Sequence, residues 1–190
     1  WELWSTDGTP EGTRIVEDIR PGPSDSRPTT LRALGDRLLF FATESANPRG
    51  LFARMNGPNA QAERIVDFAP GMNTYWSRIV ARGEYAFLIM RSTRDDMQFW
   101  RSDGTTAGTT LLEDLPALPS ASDWSAIVEY GDVVLVGLNL THVGMQWWRS
   151  DGTPAGTQLY EALPTTYIGF PQLIGNTIYF SAGEPWTLRP

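Results

Sequence analysis

Glu2-Leu3-Trp4-Ser5-Thr6-Asp7-Gly8-Thr9, followed by Gly12-Thr13, is the stretch whose reading decides the fold, because it comes back. It returns as Gln98-Phe99-Trp100-Arg101-Ser102-Asp103-Gly104-Thr105 with Gly108-Thr109, and as Gln146-Trp147-Trp148-Arg149-Ser150-Asp151-Gly152-Thr153 with Gly156-Thr157. A worn copy, Leu51-Phe52-Ala53-Arg54-Met55-Asn56-Gly57-Pro58, lies between the first two. The steps from Gly8 to Gly57 to Gly104 to Gly152 are 49, 47 and 48 residues. A second marker keeps the same phase: Leu34-Gly35-Asp36, Arg82-Gly83-Glu84, Tyr130-Gly131-Asp132 and Ile174-Gly175-Asn176. A repeat of this length denotes one supersecondary unit used several times, stacked or set in a ring.

Each unit reads as four short strands. Apolar runs flank the second marker: Leu31 to Leu34 and Leu38 to Ala42, Arg78 to Ala81 and Tyr85 to Met90, Ala126 to Tyr130 and Val133 to Leu138, Gln172 to Ile174 and Thr177 to Ser181. A two-residue Gly-Asp or Gly-Asn turn between such runs predicts a hairpin, strands A and B. The signature supplies strand C, and the residues after Gly-Thr supply strand D. The loop between them carries the turn residues Asp7, Gly8 and Gly12, Asp103, Gly104 and Gly108, Asp151, Gly152 and Gly156, with Asn56 and Gly57 in the worn copy. Glycine there tolerates positive φ. The Asp carboxylate and its Ser or Thr neighbour accept bonds from the loop's own amides. Asn56 and the missing Gly-Thr predict a looser or differently turned second copy.

Four antiparallel strands repeated at 40–50 residues predict an all-β fold, a β-propeller of four-stranded blades within one domain, 1–190. Residues 29–68, 76–115 and 124–163 supply whole units. Residues 1–19 supply strands C and D, and 170–190 supply strands A and B. These complementary ends predict one shared blade and a closed ring of about four. The alternative is a fragment of a larger propeller, or a piece that completes its ring with further copies. Glu184-Pro185-Trp186-Thr187, which reads as another strand C, favours that alternative. Trp4, Trp100 and Trp148 recur on strand C and are expected to pack between blades.

Composition narrows the classes. Hydrophobic residues make up 41% and aromatic residues 12% of the chain, enough for a globular core. No apolar run is long enough to span a bilayer as a helix, so no membrane insertion is expected. The absence of cysteine excludes disulfides and thiolate metal sites. A net charge of −7 argues against nucleic acid as a partner.

The pattern Glu-Leu-Trp-x-x-Asp-Gly-Thr-x-x-Gly-Thr resembles a tandem repeat of large bacterial secreted and surface proteins, sometimes labelled hyalin-like. The resemblance covers essentially the whole chain. It implies an extracellular or cell-envelope β-propeller with an adhesive, binding or structural role. The C-to-D loop also resembles the Asp-box turn of sialidase-type propellers, which is structural there.

Catalytic signatures are few. His142 is the single histidine, so a two-histidine metal site is impossible, and no nucleophile motif accompanies it. Glu17-Asp18 and Glu113-Asp114 are neighbours on a strand and point to opposite faces. Each Asp-Gly-Thr loop offers one carboxylate, whereas Ca²⁺ takes six to eight oxygens. No metal or other cofactor is expected. The D-to-A connections vary between units, and variable loops on a repeated scaffold are where recognition evolves. Tyr75, Trp76, Arg94, Asp123, Trp124 and Tyr167 form the candidate set for a carbohydrate or protein ligand. Three readings follow: a non-catalytic binding or structural module, a carbohydrate-active hydrolase or lyase on the same scaffold, and an assembly module that self-associates through its end strands.

Overall fold

The computed structural model describes residues 1–44, 50–57, 60–68, 72–92, 97–116, 125–140, 144–163, 167–175 and 177–183. Their regular structure is all strand. Strands β1 (Leu3–Ser5) and β2 (Arg14–Glu17) form a two-stranded sheet. Three four-stranded sheets follow. The first holds β3 (Thr29–Leu34), β4 (Arg37–Ala42), β5 (Gly50–Met55) and β6 (Ala62–Asp67). The second holds β7 (Met72–Arg82), β8 (Tyr85–Ser92), β9 (Met97–Ser102) and β10 (Thr110–Leu115). The third holds β11 (Ser125–Tyr130), β12 (Val133–Leu140), β13 (Gly144–Ser150) and β14 (Gln158–Leu163). A last pair, β15 (Tyr167–Ile174) and β16 (Thr177–Gly183), stands by itself. Pairing is antiparallel and runs in chain order, so each unit is a meander of strands A to D.

The hairpin glycines do what the two-residue turns require. Leu34 pairs with Arg37, Arg82 with Tyr85, Tyr130 with Val133, and Ile174 with Thr177. Gly35, Gly83, Gly131 and Gly175 hold φ between 54° and 59°, a left-handed conformation that a side chain disfavours.

Both faces of the middle sheets are apolar because each sheet lies between two others. On β4, Leu39 and Phe41 face the second sheet, while Phe40 and Ala42 face β1–β2. On β8, Ala86, Leu88 and Met90 face back to the first sheet, while Phe87 and Ile89 face forward to the third. The period of two is therefore read against two neighbours, and the strand sequence becomes a continuous apolar run. The first strands of successive sheets also touch: β3 with β7, β7 with β11, and β11 with β15.

Strand D carries one unopposed residue in every unit, a bulge facing the C-strand dipeptide. It is Val16 opposite Leu3-Trp4, Ile65 opposite Leu51-Phe52, Leu112 opposite Phe99-Trp100, and Tyr160 opposite Trp147-Trp148. The worn copy is thereby aligned one residue away from its glycine spacing. Leu51-Phe52 takes the place of Leu3-Trp4, and its C-to-D connection is one residue longer. Phe52 packs backwards against the β1–β2 pair, as Trp100 and Trp148 pack backwards on their preceding sheets.

Among the described residues no ladder joins β16 to β1, the strands expected to share an outer blade; each pair is a separate two-stranded sheet. Leu3 and Ile19 anchor β1–β2 on Phe40, Ala42 and Phe52 of the next sheet, and β15 packs against β11. Each end is thus satisfied by its sequence neighbour. Trp4, expected between blades, is 57% exposed. Glu184-Pro185-Trp186-Thr187 lies outside the described residues.

Candidate functional site

The repeated loops are the most polar constructions in the chain, and they are closed on themselves. Asp7 Oδ1 accepts from Thr9 N at 2.9 Å and Thr9 Oγ1 at 2.7 Å. Asp103 does the same with Thr105 at 2.8 and 2.7 Å, and Asp151 with Thr153 at 2.8 and 2.8 Å. The Thr hydroxyl in turn accepts from the second glycine's amide, at 3.0 Å in Gly12, Gly108 and Gly156 alike. Thr6, Ser102 and Ser150 receive the amides of Gly8, Gly104 and Gly152 at 3.0 Å and meet the hydroxyls of Thr13, Thr109 and Thr157.

The two glycines of each loop have different causes. Gly8, Gly104 and Gly152 hold φ of 94°, 83° and 93°. Gly12, Gly108 and Gly156, expected for the same reason, have no positive φ. They are glycine because a Cβ would lie 2.0–2.3 Å from the carboxylate atoms of Asp7, Asp103 or Asp151. The Thr hydroxyl beside each of these three carboxyls is the main cause holding it below its ordinary pKa, with backbone hydrogen bonds adding to the effect. These carboxylates are ionised acceptors with their hydrogen bonds directed inward, a structural role.

In the worn copy an arginine replaces this network. Arg54 donates to Gly57 O at 2.9 Å and Met55 O at 3.1 Å, and Asn56 N donates to Asp36 O at 2.7 Å. The turn is differently built, as expected from Asn56 and Gly57.

Arginines also tie two of these loops to the sheet before them. Arg37 Nη1 donates to Gly104 O at 3.1 Å, and Arg101 Nη1 donates to Gly152 O at 2.7 Å while its guanidinium lies 4.4 Å over the Tyr85 ring. These contacts escaped the sequence reading. Arg101 and Arg149 hold the same place in successive copies, and that was the available signal.

The candidate ligand set divides. Tyr75 and Trp76 lie in β7, and Tyr167 opens β15, both of them first strands. Arg94, Asp123, Trp124 and His142 lie outside the described residues. Tyr75 and Trp76 fall where four residues of β7, Thr74 to Ser77, oppose the single Met90 of β8. Strand A is broken elsewhere too: Thr30 and Leu31 oppose Phe40, and Phe170 and Pro171 oppose Phe180. Bulges re-aim side chains and are frequent beside functional sites. Next to the break in β3, Arg27 and Thr30 hold φ of 49° and 56°, unfavourable for side-chain-bearing residues. They adjoin a cavity of about 420 Å³ lined by Trp1, Asp25, Arg27, Pro28 and Thr29. This cavity is built on the first unit's D-to-A connection. A second cavity, of about 340 Å³, runs beside β1 and is lined in part by Leu3, Trp4, Val16, Leu38, Arg54 and Met55.

Among the described residues no three His, Asp or Glu side chains gather as metal ligands. No described helix is long and apolar enough to cross a membrane. Comparison with protein-family models and with curated proteins returns no match.

Proposed function

We propose that this chain is a non-catalytic binding or structural β-propeller module of a bacterial secreted or surface protein, with its recognition surface on the connections that enter strands A. The observation that carries the reading is the division of irregularity. Three of the four C-to-D loops repeat with the same hydrogen bonds, whereas the entries to β3, β7 and β15 each depart from regular pairing in their own way. Backbone strain persists where the surroundings over-determine it and clusters at ligand sites. Arg27 and Thr30 carry that strain beside the cavity of about 420 Å³.

The ligand class is carbohydrate or an exposed protein segment, since aromatic side chains at Tyr75, Trp76, Trp124 and Tyr167 suit sugar faces and apolar side chains alike. Glycan and peptide arrays probed with the 190-residue chain test this. Retention on a defined glycan or peptide set, weakened at least tenfold by Trp76→Ala or Trp124→Ala with unchanged thermal unfolding, supports the reading. Turnover of a glycoside with no retained ligand rejects it in favour of the enzyme.

A further inference from the structure

The worn copy holds the single Asn-Gly pair of the sequence, Asn56-Gly57, where the other three C-to-D loops carry Asp-Gly. Each Asp-Gly pair is locked twice. The glycine amide donates to Thr6, Ser102 or Ser150 at 3.0 Å, and the carboxylate is held by the threonine that follows the glycine. Asn56-Gly57 lacks the residues for both locks. Met55 stands two positions before Gly57, where the other loops have a hydroxyl, and Pro58 follows Gly57, where they have threonine. Among the described residues no hydrogen bond holds the Asn56 side chain or the Gly57 amide nitrogen. Asn56 is exposed. Gly57 has φ of 137°, and a Cβ built on it would meet nothing within 4 Å, so the space beside the peptide bond is open.

We propose that Asn56 is a site of spontaneous deamidation, closing on Gly57 to a succinimide that water opens to aspartate or isoaspartate. The Gly57 nitrogen gives up its proton and bonds to Asn56 Cγ. The Cγ–Nδ2 bond breaks, and the side-chain nitrogen leaves with that proton as ammonia. Glycine presents no side chain to hinder this ring closure. Water then adds to one of the two imide carbonyls, and the bond from that carbonyl to the Gly57 nitrogen breaks. Opening at Cγ leaves aspartate and rewrites the pair as the Asp-Gly of the other copies. Opening at the main-chain carbonyl leaves isoaspartate, with the chain rerouted through the side chain. Either product adds one negative charge to a chain already at −7. Arg54 brackets the reacting pair, donating to Met55 O at 3.1 Å and to Gly57 O at 2.9 Å. Its guanidinium favours negative charge on the Gly57 nitrogen as the proton leaves, and on the carboxylate that results. In the Asp-Gly loops the glycine nitrogen must first leave its hydroxyl acceptor, and the carboxylate is ionised and held, so those pairs resist the same closure. The modified loop joins strands C and D, and the proposal stands whether or not the entries to strands A take a ligand.

The test holds the folded 190-residue chain in mildly alkaline buffer and follows each loop by peptide mapping, with isoaspartate read by enzymatic methylation. Asp103→Asn sets a second Asn-Gly pair in the same molecule, in a loop that keeps Ser102 on the glycine amide. Position 56 is expected to convert at least about fivefold faster than position 103, the rate equivalent of one hydrogen bond that must break first. In concentrated urea both loops are lost and the two rates are expected to converge. The wild-type chain gives a second measurement that needs no variant. Its folded position 56 is expected to convert within about tenfold of the urea-unfolded rate, with aspartate retained unchanged at positions 7, 103 and 151. Equal rates at the two positions of the folded variant, or a folded wild-type rate more than about tenfold below the unfolded one, overturns the proposal.

Discussion

Replacing Gly108 by alanine tests whether the second loop glycine is set by its carboxylate neighbour. The new Cβ would lie 2.0 Å from Asp103 Cγ and Oδ2 and 2.1 Å from Oδ1, so the carboxylate must leave. It takes with it the bonds from Thr105 N at 2.8 Å and Thr105 Oγ1 at 2.7 Å. Hydrogen bonds to a charged group contribute about 1.5–3 kcal/mol each, and the displaced carboxylate regains water at this half-exposed site. The expected cost is about 2–3 kcal/mol, or a fall of roughly 5–10 °C in melting temperature for a domain of this size. Gly108 has no positive φ, so alanine brings no backbone strain of its own. Asp103→Ala removes the same two bonds and is expected to cost about as much. The decisive quantity is the double variant measured by urea unfolding. With the carboxylate gone the three atoms nearest the methyl group are removed, so Asp103→Ala/Gly108→Ala is expected to match either single variant, a coupling of about 2 kcal/mol. Additive losses near 5 kcal/mol would refute the reasoning, because they would mean that Gly108 serves something other than room for Asp103.

The three loop carboxyls also predict acid sensitivity. Their folded pKa values lie below the ordinary 3.8, so their contribution is present above that pH and is lost as pH falls through the folded values. The urea midpoint of wild type is expected to drop as pH falls below the ordinary carboxyl value of 3.8, and Asp103→Asn to flatten part of that drop. Ile79→Ala empties a buried site and is expected to cost about 2–4 kcal/mol. Leu31→Ala, at the exposed site four residues before its own hairpin glycine, is expected to cost under about 1 kcal/mol; equal costs in chemical unfolding would contradict the burial difference. Arg101→Met removes the bond to Gly152 O and the contact with the Tyr85 ring, at about 1–2 kcal/mol. Arg101→Lys is expected to recover only part of it, since an ammonium lacks the planar fork.

Much of this fold was legible from the repeat. Each of the sixteen strands overlaps a segment read as strand, because Gly35-Asp36 and its copies fix the hairpins and Asp7-Gly8-Thr9 and its copies fix the outer loops, but β7 and β15 start within residues read as connections. What escaped follows from how such reading works. The glycine of the worn copy is a landmark in sequence, but register is set by which residues face the neighbouring sheet. Leu51 and Phe52 obey the apolar contacts, so the extra residue is absorbed in the loop. The reason for Gly12, Gly108 and Gly156 was misassigned because a close approach and a positive φ leave the same letter in the sequence. The ends are complementary in sequence, but among the described residues β1–β2 and β15–β16 are separate sheets, because complementary strand order by itself does not set a ladder. Trp76 is read as the start of strand A and Tyr75 as the end of the connection before it, whereas β7 already begins at Met72; the break that sets both off from β8 has no local signature.

The repeated acidic loops illustrate why repetition in a scaffold of similar sheets argues against chemistry at the repeated position. A catalytic or ligand-binding carboxylate needs an oxygen directed at something outside the protein. In Asp7, Asp103 and Asp151 the same oxygen is held by the same threonine with nearly the same distances, so the site would have to be useful in three places at once while facing inward in each. Recognition needs one arrangement, not three. On the proposed reading the segments released from the repeat supply it, at the entries to strands A, where one unit has two strained residues and another has four strand residues opposite one. The regular part of the unit fixes where these segments stand, and their differences fix what they can contact.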